Sequence, residues 1–267
     1  MTHTAGKVRA DLLLVERGLV PSRAKAQALL LAGQVWSGNE RVEKAGQLLA
    51  TDAPLRVAEP ERFVSRGGYK LEGALKGLGV DVQGRVCVDV GASTGGFTDC
   101  LLQHGAAKVY AVDVGENQLA AKLRADARVV VFDRTNARYL EPSLFAEAIE
   151  LAVVDASFIG IEMLLPALAR ILPVGKSLLA LIKPQFQAGK REAARARGVI
   201  RDPALRGALI EQALARVAEH GFEVVAGRDS ELAGPKGNVE YFVLARRSEG
   251  GGLPGAPDAH STITHKS

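Results

Sequence analysis

The stretch Asp89-Val90-Gly91-Ala92-Ser93-Thr94-Gly95-Gly96-Phe97-Thr98 follows an apolar run, Val86-Cys87-Val88, and leads into a helical pattern. A strand, a glycine-rich turn and a helix start are expected in that order. Glycines let the backbone turn tightly and approach a ligand closely. The helix start then presents N–H groups that have no partner within the helix, a natural seat for a polar or anionic group. Two frequent readings of such a turn fail here. The dinucleotide pattern G-x-G-x-x-G requires glycine where Ser93 stands. The phosphate-loop pattern G-x-x-x-x-G-K-[ST] is met at Gly91, Gly96 and Thr98, but Phe97 replaces the lysine that neutralises phosphate charge, which disfavours a nucleoside triphosphate.

Outward from this turn the chain alternates apolar runs with helical patterns. The runs are Lys108–Asp113, Val129–Phe132, Leu151–Asp155, Ser177–Ile182, Phe222–Val225 and Tyr241–Leu244, and helical spacing occupies 117–125, 161–172 and 204–220. Continuous apolar runs are what a sheet covered on both faces requires. The expected fold is α/β: a doubly wound, Rossmann-like domain over residues 67–247 with a seven-stranded, mostly parallel sheet. Ligands in such sheets sit beyond the carboxyl ends of the strands. Several polar residues fall at that edge: Asp113, Asp133, Asp155 and Lys183 each follow an apolar run, Glu240 precedes one, and Lys70 lies upstream in Ser65-Arg66-Gly67-Gly68-Tyr69-Lys70. A single lysine or acid at a strand end is ordinarily a solvated end or a cap. Two of each at one edge suggest a site. Asp113 is suited to hold both hydroxyls of a ribose. Asp133 either accepts from an adenine amino group or caps a turn.

Residues 1–60 form a separate small module. A short helix ending near Gly18, a second helix capped by Ser22 and closed by Gly33, and a hairpin over Gln34-Val35-Trp36 and Arg41-Val42 are expected. Residues 61–66 read as a linker. Residues 248–267, rich in Gly, Pro, Ser and Thr, read as a disordered tail. The 267-residue chain is 47% hydrophobic and 24% charged, which excludes a wholly disordered protein, and its formal charge of +4 permits an anionic partner without demanding one. Two cysteines, Cys87 and Cys100, cannot build a disulfide framework or a four-cysteine zinc site. No apolar run is long enough for a membrane helix, and the first residues lack an apolar signal core, so a soluble cytoplasmic protein is expected.

The glycine turn followed by Asp113 resembles motif I of S-adenosylmethionine-dependent methyltransferases. Together, SRGGYKL, DVGASTGGFTD, VVDASF, LIKPQF and GNVEYF resemble the TlyA family of ribosomal RNA 2′-O-ribose methyltransferases, also called haemolysin A-like and related to the FtsJ/RrmJ methyltransferases. The first 60 residues resemble the RNA-binding domain of ribosomal protein S-four. The resemblance spans the chain to about residue 247. It implies an S-adenosyl-L-methionine site at Asp89, Gly91, Ser93, Gly95, Gly96, Phe97, Asp113 and Asp133. It also implies a Lys-Asp-Lys-Glu tetrad, which falls on Lys70, Asp155, Lys183 and Glu240. The implied reaction methylates a ribose 2′-hydroxyl, of cytidine, in ribosomal RNA or ribosomal subunits, with no metal and no membrane. The chemistry is consistent with this: a ribose hydroxyl is a poor nucleophile until its proton leaves, and a lysine crowded by a second cation in a dry site can serve as base. Lys183 is expected as that base or as the group that orients the hydroxyl, with Lys70 stabilising negative charge and the two acids holding the ammonium groups.

Residues 183–206 carry Lys183, Lys190, Arg191, Arg195, Arg197, Arg201 and Arg206 against Glu192 and Asp202. Charge runs are commonly just solvated, but this one directly follows Lys183 and suits phosphate contacts. The expected RNA-contacting residues are Lys190, Arg191, Arg195 and Arg197 here, Arg9, Arg17, Arg23 and Lys25 in the first module, and Arg66. The alternatives are an RNA-binding protein without catalysis, which would not need the tetrad and the donor loop together, a membrane-active haemolysin, and a related methyltransferase acting on a base nitrogen, which would not need the lysine pair, or on a base carbon, for which neither Cys87 nor Cys100 is well placed as nucleophile. Oligomeric state is not legible.

Overall fold

The computed structural model describes residues 6–58, 61–187, 199–234 and 236–249. The chain divides into two compact units, Met1–Arg62 and Phe63–Ser267.

In the first unit, β1 (Lys7–Arg9) leads into α1 (Ala10–Glu16), then α2 (Arg23–Leu31), β2 (Val35–Ser37), β3 (Glu40–Arg41), β4 (Leu48–Ala50) and β5 (Leu55–Val57). The Ser22 hydroxyl accepts from the Lys25 N–H and starts α2. Strands β3, β2 and β5 form one small sheet, and β1 pairs with β4. Leu13, Leu14, Ala26, Leu30 and Val35 make a core of their own. Strands β1, β4 and β5 are additions to the expected hairpin.

The second unit is a seven-stranded sheet in the order β11-β12-β10-β9-β6-β7-β8. Its strands are β6 (Val86–Val90), β7 (Lys108–Val112), β8 (Val129–Phe132), β9 (Leu151–Val154), β10 (Ser177–Ile182), β11 (Phe222–Asp229) and β12 (Tyr241–Arg247). Strands β6 to β10 run parallel, and β12 is antiparallel to both its neighbours. The helices are α3 (Arg66–Leu78), α4 (Gly96–Gln103), α5 (Ala121–Arg124), α6 (Leu165–Ile171), α7 (Pro184–Gln187) and α8 (Pro203–Glu219).

Successive strand residues point to opposite faces, and the core divides accordingly. Val88, Val112, Ala152, Val154, Leu178 and Ala180 meet Leu165 and Leu168 of α6 and Ala213 and Val217 of α8. Cys87, Val109, Ala111, Leu151, Val153 and Leu179 meet Leu71 and Leu75 of α3 and Cys100 and Leu101 of α4. Because both faces are covered, the strands read as unbroken apolar runs.

Two local expectations are corrected. Residues 63–66 are no linker: Phe63 is buried, its ring packs edge-on against Tyr69, and the Val64 N–H donates to Asp99 Oδ2 at 2.9 Å. Of the rest of that segment, Glu61 and Arg62 fall in the first unit. The helix expected over 117–125 shrinks to Ala121–Arg124. Asn117 takes a left-handed backbone, and the Ala120 N–H is drawn to the Thr94 carbonyl, which lays Leu119 and Leu123 over Gly95. Residues 250–267 of the expected tail lie outside the described residues.

Candidate active site

The turn after β6 is shaped by contacts that leave no room for side chains. Gly91 has φ +86°, and a Cβ there would stand 2.8 Å from the Asp155 carbonyl oxygen. Gly95 has φ +96° beneath Leu119 and Leu123. At Gly96 a Cβ would lie 2.9 Å from the Gly68 nitrogen and 3.1 Å from the Gly67 Cα. The first turns of α3 and α4 thus touch backbone to backbone. Ser93, also left-handed at φ +47°, donates its N–H to Asp113 Oδ2 at 2.8 Å, and the Gly115 N–H donates to Oδ1 at 2.7 Å. An ionised carboxylate offers about four acceptor positions, so Asp113 is fixed in direction and keeps acceptor capacity.

A cavity of about 740 Å³ opens at this edge of the sheet. Its walls are the Gly91–Thr94 turn with Gly96 and Phe97, the start of α3 at Ser65–Gly67, the turn after β9, the residues after β10, and the segment before β12. Lys70, Asp155, Lys183 and Glu240 all line it. The sheet explains why residues so far apart in sequence meet. Ile182 of β10 pairs with Tyr241 of β12, so Lys183, just past one strand, lies beside Glu240, just before the other. Val154 pairs with Val90, which sets Asp155 beside the glycine turn.

The four form two ion pairs. Lys70 Nζ donates to Glu240 Oε2 at 2.5 Å, and Lys183 Nζ lies 2.6 Å from Asp155 Oδ1. Lys70 and Lys183 are each 8% exposed and Glu240 1%. Lys183 also donates to the Ser157 hydroxyl at 2.8 Å. Charged groups this deeply buried are retained only when paired. Here they are paired beside an open cavity, where a substrate can reach them.

Other expected site residues are placed differently. Asp89 does not reach the cavity: it is fully buried behind the turn, accepts from the Thr98 hydroxyl at 2.7 Å, and its Oδ1 has no hydrogen-bond partner among the described residues. Burial pushes its carboxyl up to about 7. Asp113 and Asp133 are not among the residues lining this cavity. Asp133 Oδ2 is held by Arg124 at 2.9 Å. Arg66 does line the cavity and donates to the Ala233 carbonyl at 3.1 Å.

In the first unit, Arg9 and Arg23 converge on buried Asp11, at 3.0 and 2.8 Å. The Arg9 guanidinium, above all, drives that carboxyl far below the usual range. Arg17 spends donors on the carbonyls of Ala53 and Thr51. Lys25 is exposed in the first turn of α2. Lys190, Arg191, Arg195 and Arg197 lie outside the described residues.

Sequence reasoning missed Ser157, Phe158, Lys236 and Asn238 on the cavity wall. Phe158 is 90% exposed with φ +65°, and its ring centroid lies 5.3 Å from that of Phe186. Asn238 Oδ1 accepts from the Ile200 N–H at 2.9 Å, joining the cavity wall to the segment before α8. A second cavity of about 520 Å³ lies there, lined in part by Arg201, Arg206 and Asp229, and Lys236 lines both cavities.

The chain matches the FtsJ-like methyltransferase family over residues 63–247 and the S4 domain over residues 8–53. It is 43% identical to YqxC of Bacillus subtilis over 275 residues, 98% of each chain. It is 45% identical over 244 residues, 91% of each chain, to a Mycobacterium tuberculosis protein named 16S/23S rRNA (cytidine-2′-O)-methyltransferase TlyA. A solved Streptococcus thermophilus structure carrying a hemolysin name superposes with a TM-score of 0.70 at 40% identity, covering 92% of this chain and 90% of that one. Among the described residues, no helix is long and apolar enough to cross a membrane.

Proposed function

The chain belongs to the FtsJ-like methyltransferase family, and from that premise we propose that it transfers a methyl group from S-adenosyl-L-methionine to a ribose 2′-hydroxyl of ribosomal RNA, cytidine being the nucleotide named for its relatives. The observation that carries this reading is the convergence of Lys70, Asp155, Lys183 and Glu240 on the cavity that the glycine turn borders.

The residues present fit the donor. The turn from Gly91 to Phe97, packed through its glycines against Asp155, Leu119, Leu123 and the start of α3, borders the cavity, and Asp113, held by two N–H groups, retains acceptor capacity for a ribose diol. Asp155 and Glu240 are anions suited to face a cationic sulfur. S-adenosyl-L-methionine, when bound, would supply a methyl carbon on a positively charged sulfur for transfer to the ribose oxygen. Lys183, after releasing a proton to solvent, accepts the hydroxyl proton at Nζ. Asp155 compensates the ammonium that results. Lys70, anchored by Glu240, lowers the energy of negative charge building on the ribose oxygen. The walls hold the reacting groups together, and that proximity supplies much of the rate.

RNA approaches across Arg201 and Lys236, whose cavity adjoins the site, and its phosphates contact these cations. The S4 domain is a second RNA-binding element, and the substrate is a ribosomal subunit in the cytoplasm. The test is single-turnover methylation of purified ribosomal subunits with the modified nucleotide mapped by mass spectrometry. Lys183→Ala is expected to lose 10²-fold or more in rate, in the range that general acid–base groups supply. A near-wild-type rate for that variant, or a methyl group on a base atom, overturns the reading.

A further inference from the structure

The Lys183 ammonium touches two oxygens, and they do different things. Asp155 Oδ1 stands 2.6 Å away, yet it makes no geometrically aligned hydrogen bond. The Ser157 hydroxyl, at 2.8 Å, is the aligned acceptor. Asp155 therefore supplies charge, and Ser157 supplies direction. A lysine Nζ rotates about its last carbon–nitrogen bond unless a directional contact stops it. With one N–H fixed on Ser157 and the carboxylate beside a second position, the third position of Nζ is left for the cavity that Lys183 lines.

From this contact we infer that Ser157 is a positioning residue for proton removal: once the Lys183 ammonium has given one proton to solvent, Ser157 orients Nζ so that the freed lone pair meets the ribose hydroxyl. The proton then passes from the 2′-oxygen to that lone pair and yields the ammonium, and the oxygen keeps the electron pair with which it bonds the methyl carbon. Nothing else is consumed.

The turn that presents Ser157 is built rigidly. The Asp155 N–H donates to the Val90 carbonyl at 3.0 Å, Gly91 lies directly against the Asp155 carbonyl, and Ala156 packs on the core. Phe158 then adopts the left-handed region, which is unfavourable for a residue with a side chain. Together these set the course of the backbone that brings the Ser157 hydroxyl to Nζ.

The inference rests on Lys183 being the base, and its test separates the two ideas. Single-turnover rates at saturating RNA and donor are measured for Ser157→Ala and Ser157→Thr, alone and combined with Lys183→Ala. In the otherwise native protein, Ser157→Ala is expected to lower the rate about 10- to 100-fold, the range for a displaced reacting group. KM for ribosomal subunits and Kd for the donor should stay within about twofold. Ser157→Thr, which keeps the hydroxyl, should recover most of the rate. In the Lys183→Ala background, Ser157→Ala should add nothing, as two residues acting through one step require. An unchanged rate in Ser157→Ala, or the same loss with and without Lys183, overturns the inference. A fully active Lys183→Ala overturns the base assignment itself.

Discussion

Replacing Glu240 by Gln removes one charge from the most enclosed pair in the site and changes the side-chain shape very little. Glu240 is 1% exposed, Lys70 8%, and a Cβ on Gly234 would come within 2.6 Å of Glu240 Oε1, so no solvent space adjoins the carboxylate on that side. An ammonium left uncompensated in such a place costs about 3–5 kcal/mol. For a domain near 200 residues each kcal/mol moves the melting temperature by roughly 2–4 °C, so a fall of about 6–20 °C is expected. Differential scanning calorimetry with and without S-adenosylmethionine reads this directly. The double variant Lys70→Met/Glu240→Leu separates charge from packing: with both charges gone and volume kept, much of the lost stability should return. Methylation should not return, because no cation faces the ribose oxygen. A Glu240→Gln protein melting within about 2 °C of the native one would refute the burial argument.

Asp89 gives a pH signature. Its carboxyl titrates near 7 when folded and near 3.9 when unfolded, so between those values the native state holds the extra proton and stability falls as pH rises. Three units correspond to about 4 kcal/mol, an upper bound. Asp89→Asn should flatten this slope and gain on the native protein from pH 5 to 8 in urea titrations, and parallel curves would exclude the effect. Gly96→Ala should push apart the first turns of α3 and α4, at about 1–3 kcal/mol for overpacking. Because α3 carries Lys70, methylation should fall further than stability alone explains; equal activity at equal folded fraction would count against that coupling.

The inner strands were legible because a sheet buried on both faces writes itself as unbroken apolar runs, and their carboxyl ends mark where polar residues become conspicuous; of the exposed edge strand β11 only the first half, Phe222–Val225, was read as a run. The strands of the first unit were not. β1, β4 and β5 span three residues each, too short for alternation to emerge. The meeting of Lys183 with Glu240 depends on an antiparallel partner, which apolar runs cannot distinguish from a parallel one. Asp89 lies behind the cavity wall: a motif reports which residues accompany a ligand, not which of them line its site. Phe158 escaped notice because its exposure arises from a backbone conformation that no residue type announces.

Strand β12 is the last in sequence yet sits between β10 and β11. A ribosome must release residue 247 from its exit tunnel before that gap can close and Glu240 can take its place opposite Lys70. The Lys70–Glu240 pair, made across 170 residues of sequence, therefore completes only when the final strand slots home.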